Sequence, residues 1–229
     1  ALIDALLRAG ADPNSANPGG ETALMTASRT GKADAVQVLL DRGAAVDTRE
    51  SVRGQTALMW AVSENHLEVV RLLLARGADI NARTKVEVPD GMETSITRPD
   101  GTRALSAHIG AAGPGVYRAR AIPSPSGAMT PLLFAAREGH IEMARFLLDM
   151  KANVDLVSAN GTPALTVAII NNHIRLAMML LERGANPNIA DEYHKRTPLF
   201  AAIEMRNLNF PPETPPPHPD AGDPLDLIK

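Results

Sequence analysis

The sequence predicts an all-α solenoid, a stack of short helical units repeated along one direction, and three observations predict it. First, one helix ending, Leu-Leu-x-x-Gly-Ala, returns as "LLRAGADPN" at Leu6, "LLDRGAAVD" at Leu39, "LLARGADIN" at Leu73, "LLDMKANVD" at Leu147 and "LLERGANPN" at Leu180. Second, the glycine slot of these copies falls at Gly10, Gly43, Gly77, Lys151 and Gly184, giving steps of 33, 34, 74 and 33 residues. Periods in this range mark arrays in which each unit hides its apolar face only against its neighbours. Third, the chain is 45% apolar but holds only seven aromatic residues. Thin helical layers close with Ala and Leu, whereas a single central core for 229 residues leans on aromatic bulk.

The copy "GQTALMWAVSENHLEVVRLLLARGADIN" shows how the unit is built. Thr56 is a helix cap, followed by Leu58, Met59, Ala61 and Val62 at helical spacing. Small residues at Ala57 and Ala61 allow another helix to come close. After the break at Asn65-His66, Val69, Val70, Leu72, Leu73 and Leu74 give a second helix a broad apolar face. It stops at Gly77, where a left-handed residue is required. The same roles recur in "GETALMTASRTGKADAVQVLLDRGAAVD", "AMTPLLFAAREGHIEMARFLLDMKANVD" and "GTPALTVAIINNHIRLAMMLLERGANPN", and a further copy opens at "RTPLFAAIEMRNL".

These residues resemble the ankyrin repeat family, whose mark is Thr-Pro-Leu-His-x-Ala-Ala, then Gly-His, then Leu-Leu-x-x-Gly-Ala-Asp. The resemblance implies an ankyrin-repeat solenoid of stacked antiparallel helix pairs, joined by β-hairpin-like fingers and curved so that one face is concave. The expected division is a partial repeat over 1–16, repeats over 17–49 and 50–82, an insertion over 83–126, repeats over 127–157 and 158–190, and a truncated repeat over 191–229. Both ends cut through a repeat, so the chain is expected to be a piece of a longer protein.

Three departures from the family pattern carry expectations. The first-helix His is replaced by Met25, Met59, Leu133 and Phe200, so apolar packing must substitute for its hydrogen bonds. Thr162-Pro163 fits a cap, but Thr162 lies one residue farther from His173 than Thr130 lies from His140. Lys151 stands in a glycine slot and must take a positive φ, at a cost on the order of 1 kcal/mol.

The 74-residue step leaves about 41 extra residues between Asn81 and Thr130, once one period is removed. This stretch holds Pro89, Pro99, Pro114, Pro123 and Pro125 and no Leu-Leu helix. Pro-Asp-Gly at Pro89 and Pro99 signals turns, and residues 86–88 and 92–97 have strand-like composition. The expectation is a finger lengthened into a β-hairpin, followed by a mobile Gly/Pro loop. A second insertion at 209–223 is dense in proline and reads as extended chain, a tolerated surface loop in preference to a docking peptide.

Searches for chemistry return little. The chain has no Cys, hence no disulfide framework, thiolate nucleophile or Cys-based zinc site. No apolar run reaches the roughly 18 residues of a membrane span. His66, His140 and His173 recur near the repeat length, but copies a repeat apart do not converge on one ion, so they read as turn residues. "GAAGPG" at Gly110 falls outside any strand-to-helix turn, which argues against a phosphate cradle. Net charge −3 with scattered Arg argues against nucleic acid, which wants a basic stripe. No cofactor, metal or catalytic residue is expected, and the chain is expected to be monomeric.

Resemblance to the family places function in the fingers and on the exposed face of the first helices. The candidates on the second repeat are Val52, Arg53 and Gln55 in the finger, with Trp60, Ser63 and Glu64 on the helix. On the third they are Met129, Phe134, Arg137 and Glu138. Trp60 and Phe134 hold equivalent places either side of the insertion, and Trp and Arg are enriched in binding hot spots. The competing account is that both rings pack along neighbouring helices. The leading function is a non-enzymatic scaffold for a protein partner. Its rivals are a regulatory or targeting segment of a larger enzyme, and a small-molecule site in the long insertion.

Overall fold

The computed structural model describes residues 2–89 and 124–207, together with the backbone of two short strands between them. Its helices are α1 (Leu2–Arg8), α2 (Ala23–Arg29), α3 (Ala33–Asp41), α4 (Ala57–Ser63), α5 (Leu67–Ala75), α6 (Pro131–Glu138), α7 (Ile141–Asp149), α8 (Ala164–Ile170), α9 (Ile174–Glu182) and α10 (Pro198–Asn207). First helices form one layer, in which α2, α4, α6, α8 and α10 each pack against the next. Second helices form another, in which α1 packs on α3, α3 on α5, and α7 on α9. The predicted helical solenoid is therefore present, and helices of seven to ten residues hold only because both layers pack.

Local sequence sets each start and stop. Thr22, Thr56 and Thr130 are extended, and each hydroxyl accepts the N–H of the residue three ahead, Met25, Met59 and Leu133. Behind those caps Met25, Met59 and Leu133 are at most 1% exposed, so apolar packing fills the slot of the family histidine there. Phe200 in the same slot of α10 is 56% exposed, with no following first helix among the described residues to cover it. Second helices end on left-handed residues: Gly43, Gly77 and Gly184 have φ of 85–86°, and Lys151 adopts 71° as its alignment requires.

The register of the fourth unit follows from its turn. His173 precedes α9 as His140 precedes α7, and ten residues before it stands Pro163, not Thr162. Pro163 has no hydroxyl, so α8 lacks the side-chain cap of its neighbours. Thr162 instead donates its hydroxyl to Asn160 Oδ1, at 2.8 Å. The slot of Met59 then falls on Thr166, whose buried hydroxyl has no partner among the described residues.

Three sets of bonds tie layer to layer. His66, His140 and His173 reach back through Nε2 to the carbonyls of Arg29, Ser63 and Arg137, at 3.0–3.1 Å. Asn14, Asp47, Asn81 and Asp155 each accept a backbone N–H of the next unit, from Ala45, Asp79, Asn153 and Asn186. The fingers are joined by backbone bonds from Ser51 to Gly19, Lys85 to Arg53, Ala159 to Gly127 and Glu192 to Asn160, at 2.8–3.0 Å. The histidines are thus structural turn residues, as their spacing suggested.

The long insertion sits inside the third finger. Thr84 N–H donates to Met129 O at 3.0 Å, closing this finger as Glu50 N–H to Gln55 O closes the second. The closing residues lie 45 positions apart in the third finger and five in the second. Beyond the closure the chain continues into a hairpin, β1 (Val86–Glu87) paired antiparallel with β4 (Ser126–Gly127). A second hairpin pairs β2 (Ile96–Thr97) with β3 (Arg103–Ala104) around Pro99-Asp100-Gly101. Gly127 has φ 96°, and a Cβ there would stand 1.9 Å from the Lys85 carbonyl oxygen, so only glycine fits. The remaining insertion, including the expected Gly/Pro loop, and the proline-rich 209–223 lie outside the described residues.

The second finger is shaped by a buried carboxylate. Glu50 is 7% exposed and accepts the N–H groups of Val52, Arg53 and Gln55 at 2.6–2.9 Å. Burial alone would raise its pKa, but those N–H donors, with Lys85 nearby, outweigh it and hold the pKa below the usual carboxylate value.

Three outcomes follow. Leu73→Ala, at a fully buried position between repeats, should lower the unfolding free energy by about 2–5 kcal/mol in urea titration. Lys151→Gly should raise it by about 1 kcal/mol by relieving the left-handed strain, and Lys151→Ala should not. Because the folded pKa of Glu50 is depressed, its stabilisation is full above the unfolded value near 4.5 and is lost as pH falls through the folded one. Melting temperature should therefore fall less between neutral and acid pH in Glu50→Gln than in the parent chain. Equal slopes would remove Glu50 from the acid response.

Candidate functional site

Fingers two and three stand beside the first helices α4 and α6, and together they border a groove of about 380 Å³. Its floor is apolar because α4 and α6 pack closely there. Trp60 is half-buried, Met129 is half-buried and Phe134 is 4% exposed. Its rim is polar because finger tips cannot bury their backbone, and Arg53, Lys85 and Glu87 are exposed along it.

Of the ten candidates, seven line this groove: Arg53, Gln55, Trp60, Ser63, Met129, Phe134 and Arg137. Glu64 and Glu138 are exposed next to it on their helices but do not line it. Each follows the lining residue by one position, a turn of about 100° around a helix. Val52 is exposed at the tip of the second finger.

The rings at equivalent positions are not equivalent in environment. Arg29, from the preceding first helix, places its guanidinium 5.3 Å from the centre of Trp60, while also pairing with Glu21 at 3.1 Å. Arg137, from the same helix, lies 4.9 Å from the centre of Phe134 and bonds Glu138 through Nε at 2.8 Å. Phe134 belongs to the buried core, whereas Trp60 packs against its edge. Trp60 Nε1 is buried without a hydrogen-bond partner among the described residues.

Thr84, Lys85, Glu87, Ser126 and Gly127 also line the groove and were not among the sequence candidates. The signal for them was in the spacing: Thr84 follows Gly77 by seven residues, as Glu50 follows Gly43. That places residue 84 at the base of a finger; the structure adds that Lys85 lies beside Arg53.

The chemistry available here is recognition by stacking, charge and backbone contact. Among the described residues, no three of His, Asp and Glu gather where a metal ion could sit, and each turn histidine already engages a backbone carbonyl. Among the same residues, no helix is long and apolar enough to cross a membrane.

Comparison with known proteins agrees with this geometry. The family described as ankyrin repeats (3 copies) matches residues 1–84 and 113–191. The chain is 33% identical over 81 residues to the ankyrin repeat and KH domain-containing protein mask-1 of Caenorhabditis elegans, covering 35% of this chain and 3% of that protein. Two ankyrin repeat proteins of fowlpox virus are also similar. One is 32% identical over 76 residues, covering 33% of this chain and 17% of the viral protein. The other is 38% identical over 63 residues, covering 28% and 33%. The chain thus spans at most a third of the length of these relatives. The helix pairs, the fingers and a family match over most of the sequence together show that the chain belongs to the ankyrin repeat family.

Proposed function

We propose that this chain is a non-enzymatic protein-binding scaffold, acting as a monomer, and that its partner seats in the groove between fingers two and three and helices α4 and α6. Ankyrin repeats are generally protein–protein interaction modules, and the reading rests on one observation specific to this chain. Seven residues from two fingers and two first helices border one groove with an aromatic floor and an arginine-bearing rim. Such an arrangement suits a hot spot, in which a desolvated ring anchors a partner and surrounding polar groups exclude water.

Trp60 is the residue to test, because Phe134 is so buried that its removal would confound folding with binding. For a partner or selected peptide that binds the chain, Trp60→Ala should weaken affinity by about 2 kcal/mol or more, roughly thirtyfold in Kd, by calorimetry. The melting temperature should barely change. A large drop in melting temperature with affinity intact would assign Trp60 to packing along α4 and remove the groove from the account.

A further inference from the structure

The groove is not electrically neutral, and its charge restricts what it takes. Its lining carries Arg53, Lys85 and Arg137 against one carboxylate, Glu87, in a chain whose net charge is −3. Arg53 and Lys85 are held side by side, since Lys85 N–H donates to Arg53 O at 2.8 Å. Neither enters an ion pair among the described residues; Lys85 Nζ bonds only the Ser51 carbonyl. The buried carboxylate of the second finger, Glu50, is taken up by three backbone N–H groups, and Lys85 acts on it through space without an ion pair. Behind them Arg49 bonds the carbonyls of Gly54 and Arg83, and Arg83 that of Val157. Among the described residues, the second and third fingers therefore present several cations balanced by backbone dipoles and by few carboxylates.

We infer that the groove takes an acidic, extended segment of a partner protein, with an apolar side chain against the part-exposed Trp60 and Met129 and carboxylates on Arg53 and Lys85. The inference rests on the binding function proposed above and names the chemistry of its partner. Guanidinium and ammonium groups without a carboxylate give up little when one arrives, and charge-assisted hydrogen bonds are the strong ones. Arg137 also has its face over Phe134 and its Nε on Glu138, so its remaining N–H donors are oriented before any ligand binds. A groove of about 380 Å³ holds a few side chains, whereas a helix about 10 Å across needs more room. Single-stranded nucleic acid shares the negative charge but binds by stacking bases on open aromatic faces. Here Phe134 is buried and Arg29 stacks on Trp60, so no run of open rings is presented to successive bases. The remaining exposed part of Trp60, with Met129, suffices for one apolar side chain.

The test is selection of a random short-peptide library against the whole chain, with every binder counter-screened on Trp60→Ala. Trp60-dependent binders should be enriched in Asp and Glu around an apolar residue. They should bind the doubly reversed variant Arg53→Glu/Lys85→Glu at least about tenfold more weakly, and lose affinity as salt rises. Circular dichroism and melting temperature confirm that this variant folds; Arg53→Gln/Lys85→Gln, with a smaller loss expected, serves if it does not. Trp60-dependent binders that are neutral or basic, and indifferent to both variants, would overturn the acidic reading and leave the binding function standing. An oligothymidylate that displaces the selected peptides at comparable concentration would overturn it in favour of nucleic acid. A selection yielding no Trp60-dependent binder would overturn the binding function itself.

Discussion

The array depends on how closely successive first helices approach, and one small side chain sets that distance. The same slot holds Ala27, Ala61, Ala135, Ala168 and Ala202, and the last four are at most 2% exposed. With alanine there, backbone packs near backbone, and the layers become thin enough for each turn histidine to reach the preceding first helix. The same spacing brings finger to finger at hydrogen-bonding distance, from Gly19 and Ser51 through to Asn160 and Glu192. A larger residue in that slot would act on all of these contacts together, because no unit has a core of its own. Burial in this chain is therefore a property of neighbours, and so is the groove, whose two walls come from adjacent units.

Finger-to-finger pairing also explains how the array carries a long insertion without losing its stack. The extra residues leave and return at Thr84 and Met129, which are bonded to each other through backbone and through the Thr84 hydroxyl. The layers on either side meet much as elsewhere. α4 packs on α6, His140 reaches Ser63, and Asn81 accepts from Asn153. Arg71 of α5 lies 4.4 Å from the centre of the Phe146 ring of α7. Closing a long loop costs only slightly more than closing a short one, so the thermodynamic burden of the insertion is small. Its position is consequential: β1 and β4 put Lys85 and Glu87 on the rim of the groove.

The fold was legible because its signals are local and repeated. Thr56 announces a helix start, Gly77 a stop, and even the exception at Lys151 obeys the conformation its alignment demands. The fourth unit was ambiguous because Thr162-Pro163 imitates a cap, and only the ten-residue distance to His173 reveals that Pro163 holds the slot. The groove was partly legible. Equivalent positions identified Trp60 and Phe134, but a pattern along one chain cannot say that one ring is half-exposed and the other buried. The spacing from Gly77 marks residue 84 as a finger base, but that Lys85 bonds Arg53 and borders the groove is a contact between fingers, which sequence spacing does not show.

Under the binding function proposed above, floor and rim would contribute differently to recognition. Apolar contact with Trp60 and Met129 would remove surface from water and act mainly by slowing dissociation, whereas exposed charges such as Arg53 and Lys85 would steer approach and reject like-charged partners. Rim charges are screened by salt and are individually weak, so they select among partners more than they hold one. Glu50 links the two: by fixing the second finger from within, it presents Arg53 without using that residue's charge. A carboxylate that neutralised Arg53 directly would have steadied the same loop and removed the cation from the groove. In this finger, backbone hydrogen bonds do the structural work and leave the positive charge available for binding.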